Sequence, residues 1–223
     1  MSISFQSWKG QDEAEHSKKM PKVTLVDYGL GNIQAFYNIY KQLNIKVNIA
    51  STPSHLEKSE KIILPGVGSF DWAMSKLNKS GLREVLDEMV ITKKIPILGV
   101  CVGMQMMSSQ SEEGDLPGLG WVDASVVKFS NKNFPGAPLP HMGWNDVYPK
   151  FHDGIFNGIT EPCFYFLHSY YIMPNNTTNS IATSRYGINF TAAIEKENIF
   201  GTQFHPEKSH EWGIQLLKNF SLM

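Results

Sequence analysis

The stretch that decides the fold is Pro96-Ile97-Leu98-Gly99-Val100-Cys101-Val102-Gly103-Met104-Gln105. An apolar run rich in β-branched residues ends at a Gly-x-Cys-x-Gly pattern, and sequence compatible with a helix follows. This order predicts a buried parallel strand, a sharp turn and a helix, with two glycines where a Cβ would block the turn. Cys101 would then lie exposed at the carboxyl end of a sheet, next to a helix N-terminus whose partial positive charge favours a thiolate.

A structural interpretation of Cys101 competes with this functional one. Free cysteine is among the most buried residue types, and an isolated cysteine at the end of a strand is usually a small apolar side chain. The two flanking glycines and the strand before them weigh against that interpretation without excluding it. A suitable base elsewhere in the chain would decide between the two.

The best candidate for that base is His205, which closes a predicted strand and is followed two residues later by Glu207. The carboxylate can accept the second ring N–H and hold the imidazole tautomer, while Pro206 restricts how it is presented. A His-x-Glu pair at a strand end is more often a solvated pair. His141 and His168 are weaker candidates, since neither has an acid two or three residues away. No two histidines or cysteines have the spacing of zinc ligands, so no metal is expected.

Acyl chemistry also needs backbone N–H groups that stabilise a developing oxyanion, and two places in the chain offer them. Pro65-Gly66-Val67-Gly68 follows a predicted strand, and Val102 follows the candidate nucleophile. A plain strand-to-helix turn explains the first segment equally well. A phosphate-binding loop is disfavoured, because Gly66-x-Gly68 lacks the other glycines of a dinucleotide fingerprint and the Lys-Ser/Thr of a P-loop.

Strands and helices alternate through the first half of the chain, and the second half is mostly strand. Strands are predicted at 22–27, 46–50, 61–64, 122–129, 145–148, 164–171, 180–186, 191–195 and 198–204. Helical sequence is predicted at 33–43, 53–58, 69–94 with a break near 80–81, and 211–220. This pattern predicts an α/β fold: an open, mostly parallel twisted sheet with helices on both faces, plus antiparallel strands in the second half.

Composition narrows the classes of partner. The 223 residues suit one domain, and 20 Lys and Arg against 21 acidic residues predict neither nucleic-acid nor membrane binding. Two distant cysteines, Cys101 and Cys163, fit a reducing cytoplasm better than a disulfide framework. No apolar run approaches the ~18 residues of a membrane span, and no signal peptide is evident. Residues 1–20 are polar and aperiodic, which predicts a flexible extension before a domain at 21–223.

Residues 21–223 resemble the class I (triad) glutamine amidotransferases. Six motifs in order carry the resemblance: Asp27-Tyr28-Gly29-Leu30-Gly31-Asn32, Pro65-Gly66-Val67-Gly68-Ser69-Phe70, Gly99-Val100-Cys101-Val102-Gly103-Met104-Gln105, Pro140-His141-Met142-Gly143-Trp144-Asn145, Phe166-Leu167-His168-Ser169-Tyr170-Tyr171 and Gln203-Phe204-His205-Pro206-Glu207-Lys208-Ser209. Six ordered motifs over nearly the whole chain make a specific match.

The resemblance implies a role for each matching residue. It implies that Cys101 is the nucleophile, His205 the general base and Glu207 its orienting acid. It also implies an oxyanion loop and a glutamine pocket; the loop is formed by Gly66, Val67 and Gly68, and the pocket is lined by Gln105, His168, Ser169 and Tyr170. The implied reaction is hydrolysis of L-glutamine through a γ-glutamyl thioester, without a cofactor.

Within the family, the motifs are most similar to those of glutaminase subunits of imidazole glycerol phosphate synthase. That similarity implies a heterodimer with a (β/α)₈-barrel cyclase subunit, which receives the ammonia in histidine biosynthesis. Residues 140–145 are the candidate contact region, with burial in the core as an open alternative. Gln34-Ala35 and His210-Glu211-Trp212 depart from the usual pattern and resemble paralogues that supply ammonia to sugar-amidating enzymes in surface-polysaccharide pathways.

A function of another class also stays open. The chain would then be a non-catalytic regulatory subunit with a vestigial elbow. The intact set of Cys101, His205 and Glu207 argues against it.

Overall fold

A computed structural model describes residues 22–130 and 138–223, and the structural statements below concern these residues. The strands are β1 (Lys22–Val26), β2 (Lys46–Ala50), β3 (Lys61–Gly66), β4 (Ile97–Cys101), β5 (Gln110–Ser111), β6 (Ala124–Lys128), β7 (His141–Pro149), β8 (Cys163–His168), β9 (Tyr170–Pro174), β10 (Ser180–Tyr186), β11 (Ile188–Lys196) and β12 (Ile199–Thr202). The α-helices are α1 (Ile33–Gln42), α2 (Pro53–Leu56), α3 (Phe70–Lys79), α4 (Arg83–Asp87), α5 (Val102–Gln105) and α6 (His210–Leu222).

The central sheet has the strand order β2-β1-β3-β4-β12-β11-β10-β7-β8. Pairing is parallel from β2 to β12 and antiparallel from β12 to β8. The connections β1–α1–β2 and β3–α3–α4–β4 run in opposite directions across the sheet. Because such crossovers are right-handed, they place α1 and α3–α4 on opposite faces. The predicted α/β class, with helices on both faces and antiparallel strands in the second half, is confirmed.

Burial explains why the central parallel strands are continuous apolar runs. Strand β4 is buried along its whole length, and β1 is buried except at Lys22. A strand covered by helices on both faces has no side for polar residues, in contrast to a strand with one solvent face. Because β1, β3, β4 and β12 are parallel, their carboxyl ends lie along the same edge of the sheet, where ligands bind in open α/β folds.

One predicted strand is wrong as a single element. The segment 164–171 is two strands, because β8 ends at His168 and β9 begins at Tyr170 in a separate sheet of order β5-β6-β9. Aromatic and β-branched residues continue across Ser169, so strand propensity does not mark the change of sheet. Strand β7 begins at His141, four residues before the predicted start, and β5 was not predicted.

The break predicted near 80–81 lies between α3 and α4, and a π-helical turn at Glu88–Thr92 follows. The predicted extension at 1–20 lies outside the described residues, as do 21 and 131–137. In the ranges that the structure describes, no helix is both long and apolar enough to span a bilayer. Those ranges also contain no group of three or more His, Cys, Asp or Glu side chains arranged to hold a metal ion.

Candidate active site

The turn at Cys101 has an unusual backbone. Its φ of 55° and ψ of −114° lie outside the regions that side-chain-bearing residues prefer, which costs about 1–3 kcal/mol. A β carbon on Gly99 would lie 2.8 Å from the Gly103 carbonyl oxygen, and one on Gly103 would overlap the Leu64 carbonyl oxygen. The prediction that a Cβ would block this turn is therefore confirmed at Gly99, whereas at Gly103 a Cβ would instead block the close approach of the elbow to β3.

Cys101 lies at the carboxyl edge of the sheet as expected, but the prediction that it is exposed is wrong. The residue is 4% exposed. Its Sγ lies 3.8 Å from the Leu167 carbonyl oxygen and 3.8 Å from Nε2 of Gln203. Leu167 belongs to β8, so the antiparallel half of the sheet folds back over the thiol.

His205 and Glu207 form a buried pair beside the thiol. Nδ1 of His205 is 2.9 Å from Oε1 of Glu207, and the side chains are 3% and 2% exposed. Burial alone lowers the pKa of His205, but the nearby Cys101 thiolate and the Glu207 carboxylate outweigh it and raise that pKa to about 10. Nε2 of His205 is buried and has no hydrogen-bond partner of good geometry in the described structure, and the Cys101 side chain is the neighbour that raises the pKa of the ring beside Glu207. The two anionic neighbours therefore favour the imidazolium form of His205.

Backbone and hydroxyl contacts hold the histidine in place. The His205 N–H donates to the Tyr165 carbonyl over 2.9 Å. The buried Ser209 hydroxyl donates to the His205 carbonyl over 2.6 Å and accepts from the Tyr165 N–H over 3.0 Å. Ser209 is the last residue of the sixth motif, but sequence reasoning gave its side chain no role, although a serine directly before a helix often caps it. Its side chain makes no capping hydrogen bond to α6.

The candidate oxyanion loop lies against the start of α5. Gly66 is the register partner of Cys101 between β3 and β4. A β carbon on Gly66 would overlap the Gly103 backbone nitrogen, so only glycine permits this approach. Gly68 has a φ of +87°, and Val67 is 37% exposed. The loop and the first residue of α5 thus meet at one corner.

Two side chains that sequence reasoning missed brace this loop. The buried Tyr28 hydroxyl donates to the Pro65 carbonyl over 2.8 Å, and burial together with the charge of Cys101 raises the pKa of Tyr28. The Glu113 carboxylate accepts from the Phe70 N–H over 2.9 Å at the start of α3. Tyr28 belongs to the first of the six motifs and Glu113 to none, but neither pattern specifies these contacts, which join segments 37 and 43 residues apart.

The residues predicted to line a glutamine pocket are close together but differ in what they offer. Gln105 is 2% exposed, and its Nε2 donates to the Tyr170 carbonyl over 2.9 Å and to Oε1 of Gln203 over 3.0 Å. Ser169 and Tyr170 line an open cavity of about 720 Å³ together with Glu112, Lys128 and Phe129, and among the described residues neither Cys101 nor Gln105 lines it. The His168 ring has both nitrogens engaged inside the protein, with His141 and with the Tyr170 carbonyl. His168 therefore presents no unengaged ring nitrogen to the predicted pocket.

The comparisons with known proteins agree with this geometry. Residues 24–223 match the family model described as glutamine amidotransferase class-I. The chain is 53% identical over 201 residues to the imidazole glycerol phosphate synthase subunit HisH of Bdellovibrio bacteriovorus, a match that covers 89% of this chain and 98% of that protein. It is 49% identical to the subunit of that name in Leptospira borgpetersenii and 47% identical to HisH 2 of Pseudomonas aeruginosa, with the same coverage.

Solved structures show the same fold. A protein from Thermoplasma acidophilum described as a GMP synthase component superimposes with a TM-score of 0.68 at 24% identity, covering 91% of this chain and 93% of that one. PurLQS from Thermotoga maritima gives a TM-score of 0.67 at 18% identity, covering 91% and 98%. The family model and the closely similar relatives together establish that this protein is an enzyme of the class I glutamine amidotransferase family.

Proposed function

We propose that this chain is the glutaminase subunit of an imidazole glycerol phosphate synthase. It hydrolyses L-glutamine and passes the ammonia to a synthase subunit in histidine biosynthesis. The observation that carries the proposal is the buried His205–Glu207 pair, 2.9 Å apart, beside a cysteine on a strained elbow. Relatives that bear the HisH name at 47–53% identity support the choice of pathway.

In the first half of the proposed reaction, the Cys101 thiolate attacks the side-chain amide carbon of glutamine. A C–S bond forms, and the carbonyl oxygen becomes an oxyanion held by the Val102 N–H and the loop at 66–68. The His205 imidazolium donates its Nε2 proton to the amide nitrogen, and the C–N bond breaks to release ammonia. The product of this half is a γ-glutamyl thioester.

In the second half, His205 acts as a base. Its neutral Nε2 takes a proton from water, whose oxygen attacks the thioester carbon. Collapse of the second oxyanion breaks the C–S bond and releases glutamate and the thiolate. Glu207 accepts the Nδ1–H throughout, which keeps the ring in the tautomer that both halves need.

The proposed glutamine pocket is bounded by Gln105, His168, Ser169 and Tyr170. Polar groups at the wall come from the backbone of Ser169 and Tyr170 and from the Gln105 carboxamide. Gln203 links this wall to the thiol, because its side chain contacts both Gln105 and Cys101. This placement is supported by the contacts of Gln105 with Tyr170 and Gln203.

A partner protein follows from the chemistry of ammonia. Ammonia released into water at neutral pH is largely protonated and no longer nucleophilic, so synthesis requires a sheltered passage. The proposed contact region at 140–145 is supported by Met142 and Trp144, which are 66% and 45% exposed. Leu167, the register partner of Met142, is 37% exposed and belongs to the strand that covers Cys101. A (β/α)₈-barrel subunit docked there would receive ammonia close to its source.

A second candidate acceptor is a nucleotide-linked sugar. It is supported by the resemblance of His210-Glu211-Trp212 to paralogues that supply sugar-amidating enzymes; His210 has a φ of 46° and stacks on Trp144 with ring centroids 5.1 Å apart. The names of the similar relatives favour the histidine pathway.

The deciding experiment is to co-purify the chain with its native partner and to assay glutamine-dependent amination. We expect amination of the histidine-pathway nucleotide and not of a nucleotide-linked sugar, with little glutaminase activity from the isolated chain. Amination of the sugar alone would replace the first proposal with the second. Absence of any Cys101 adduct with a glutamine-mimicking electrophile, even with partner present, would favour a regulatory subunit instead.

A further inference from the structure

Two buried histidines outside the triad face each other behind the proposed glutamine pocket. His141 on β7 and His168 on β8 are register partners in the antiparallel sheet and are 3% and 6% exposed. Nδ1 of His141 lies 3.0 Å from Nε2 of His168. Both rings also contact Phe166 and Phe190.

The hydrogen bonds of this pair determine both tautomers. Nδ1 of His168 is 2.8 Å from the Tyr170 carbonyl oxygen, which can only accept, so Nδ1 carries the proton. In a neutral ring, Nε2 of His168 is then an acceptor, and Nδ1 of His141 must be its donor. Nε2 of His141 is therefore an acceptor too, and it receives a proton from Nδ2 of Asn145 over 3.2 Å. Nδ2 of Asn145 also donates to the Arg185 carbonyl over 2.9 Å, which fixes the amide orientation.

Both rings are neutral near pH 7. The series of hydrogen bonds requires this, since each ring donates through one nitrogen and accepts through the other. Burial lowers the pKa of His141 to about 4. Burial also lowers the pKa of His168 to about 3, aided by the charges of His141 and His205 and opposed by the Tyr170 carbonyl.

The backbone of β7 at Gly143 bears on the hydrogen bond between Asn145 and His141. His141 and Asn145 are four residues apart on β7, which on a regular strand separates their Cα atoms by about 13 Å. Gly143 lies between them with a φ of +128°, a conformation that favours glycine. The pairing of β7 with β8 continues without a bulge through Gly143, and the His141 and Asn145 side chains lie 3.2 Å apart across this residue.

We propose that His141 and His168 are positioning residues for glutamine, which act by holding the Tyr170 carbonyl that orients the Gln105 carboxamide. The inference rests on the proposed function of the pocket. The Tyr170 oxygen accepts from both His168 and Gln105, over 2.8 and 2.9 Å. Because both Nε2 protons of Gln105 have acceptors, on Tyr170 and Gln203, the plane and the O/N orientation of its carboxamide are fixed.

The kinetic test uses His141→Phe with the partner protein present. Phenylalanine keeps a ring among the aromatic neighbours but removes the donor to Nε2 of His168. We expect the KM for glutamine to rise about 5- to 10-fold and kcat to change less than about twofold, since one buried hydrogen bond is lost away from the thiol. Phe190→Leu is the matched control: it loosens packing against both rings, leaves the hydrogen bonds intact and keeps KM within about twofold of wild type.

Thiol labelling separates binding from reactivity. With His141→Phe, the rate of Cys101 labelling by a glutamine-mimicking electrophile should fall about 5- to 10-fold, while labelling by iodoacetamide stays unchanged. An unchanged KM and an unchanged labelling rate would overturn the positioning role. If wild-type protein with its partner neither hydrolyses glutamine nor takes the mimic, the proposed function itself fails, whatever His141→Phe does.

Nitrogen NMR of the histidine rings tests the hydrogen-bond series from Asn145 to the Tyr170 carbonyl and does not depend on an activity assay. We expect two rings in the neutral Nδ1–H form, unchanged from pH 5.5 to 8. Asn145→Asp replaces the donor to His141 by an acceptor, so Nε2 of His141 should gain a proton and KM should rise. An Nε2–H signal from either ring in the wild type, or no change of His141 in Asn145→Asp, would overturn the inference even if His141→Phe does not fold.

Discussion

His205 and the His141–His168 pair are equally buried, yet their protonation equilibria move in opposite directions. The pKa of His205 rises to about 10, while the pKa values of His141 and His168 fall to about 4 and 3. His205 has the Glu207 carboxylate and the Cys101 thiol as neighbours, whereas the pair has a carbonyl, an amide and aromatic rings. The charge of the neighbouring groups therefore decides whether a buried imidazole in this protein is protonated and can donate a proton, or is neutral and serves only as a structural hydrogen-bonding group.

The largest expected effect comes from removing the thiol. Cys101→Ala should abolish glutamine hydrolysis while the protein still folds, because no other described nucleophile faces Nε2 of His205. It should also lower the pKa of His205, since the anionic neighbour is gone, and thereby move His205 toward the behaviour of the pair. Turnover above a few per cent of wild type, measured with stoichiometric enzyme, would rule out this nucleophile.

The next effect comes from the carboxylate of the triad. Glu207→Gln keeps the shape but can present an N–H to Nδ1, so kcat should fall about 10²- to 10⁴-fold, as in other triads whose acid is amidated. NMR titration should show a lower pKa for His205 than in the wild type. Glu211→Gln, which changes an exposed acid four residues further on, serves as the control and should leave kcat unchanged. Equal kcat values for the two variants would contradict the assigned role of Glu207.

The two environments also predict opposite effects of pH on stability. The folded pKa values of His141 and His168 lie below the unfolded value of about 6.5, so their contribution is present above pH 6.5 and is lost as the pH falls toward 4 and 3. The folded pKa of His205 is raised, so its contribution is present below pH 6.5 and is lost as the pH rises toward 10. The free energy of unfolding should therefore be greatest near pH 6.5.

Urea unfolding between pH 5 and 9 measures both limbs. Each proton contributes a slope that approaches about 1.4 kcal/mol per pH unit, with two protons on the acid limb and one on the alkaline limb. His141→Phe should halve the acid slope between pH 5 and 6 and leave the alkaline limb unchanged. An acid limb that is flat in the wild type would mean that the pair is not buried in the neutral form.

The smallest expected effect concerns the support of His205. Ser209→Ala removes a hydroxyl that joins the His205 carbonyl to the Tyr165 N–H, and the loss of one or two buried hydrogen bonds should lower kcat about 5- to 10-fold. KM for glutamine should change little, because the wall formed by Tyr170 and Gln105 is untouched. The opposite pattern, a raised KM at constant kcat, would mean that Ser209 supports glutamine binding, as proposed for His141 and His168, and not the positioning of His205.

The sequence allowed prediction of the parts of the site that depend on local pattern. The elbow at Cys101 follows from glycine sterics, and His205 with Glu207 follows from spacing, although β12 ends at Thr202, three residues before the predicted strand-end histidine. The structure brings these residues together. The contact between His141 and His168 depends on the register of two antiparallel strands 27 residues apart, which no local pattern specifies. The cover over Cys101 was missed for the same reason, since Leu167 comes from 66 residues further along the chain.

That cover has a consequence for the lifetime of the enzyme in a cell exposed to peroxide. Sulfenic acid formation requires an anionic sulfur that an oxidant can reach, and further oxidation to sulfinic acid is irreversible in most proteins. Cys101 is 4% exposed, and its Sγ lies 3.8 Å from the carbonyl oxygen of Leu167 on β8. We therefore expect oxidation of Cys101 by peroxide to be slow in the resting enzyme and to speed up whenever the movement that admits glutamine uncovers the sulfur.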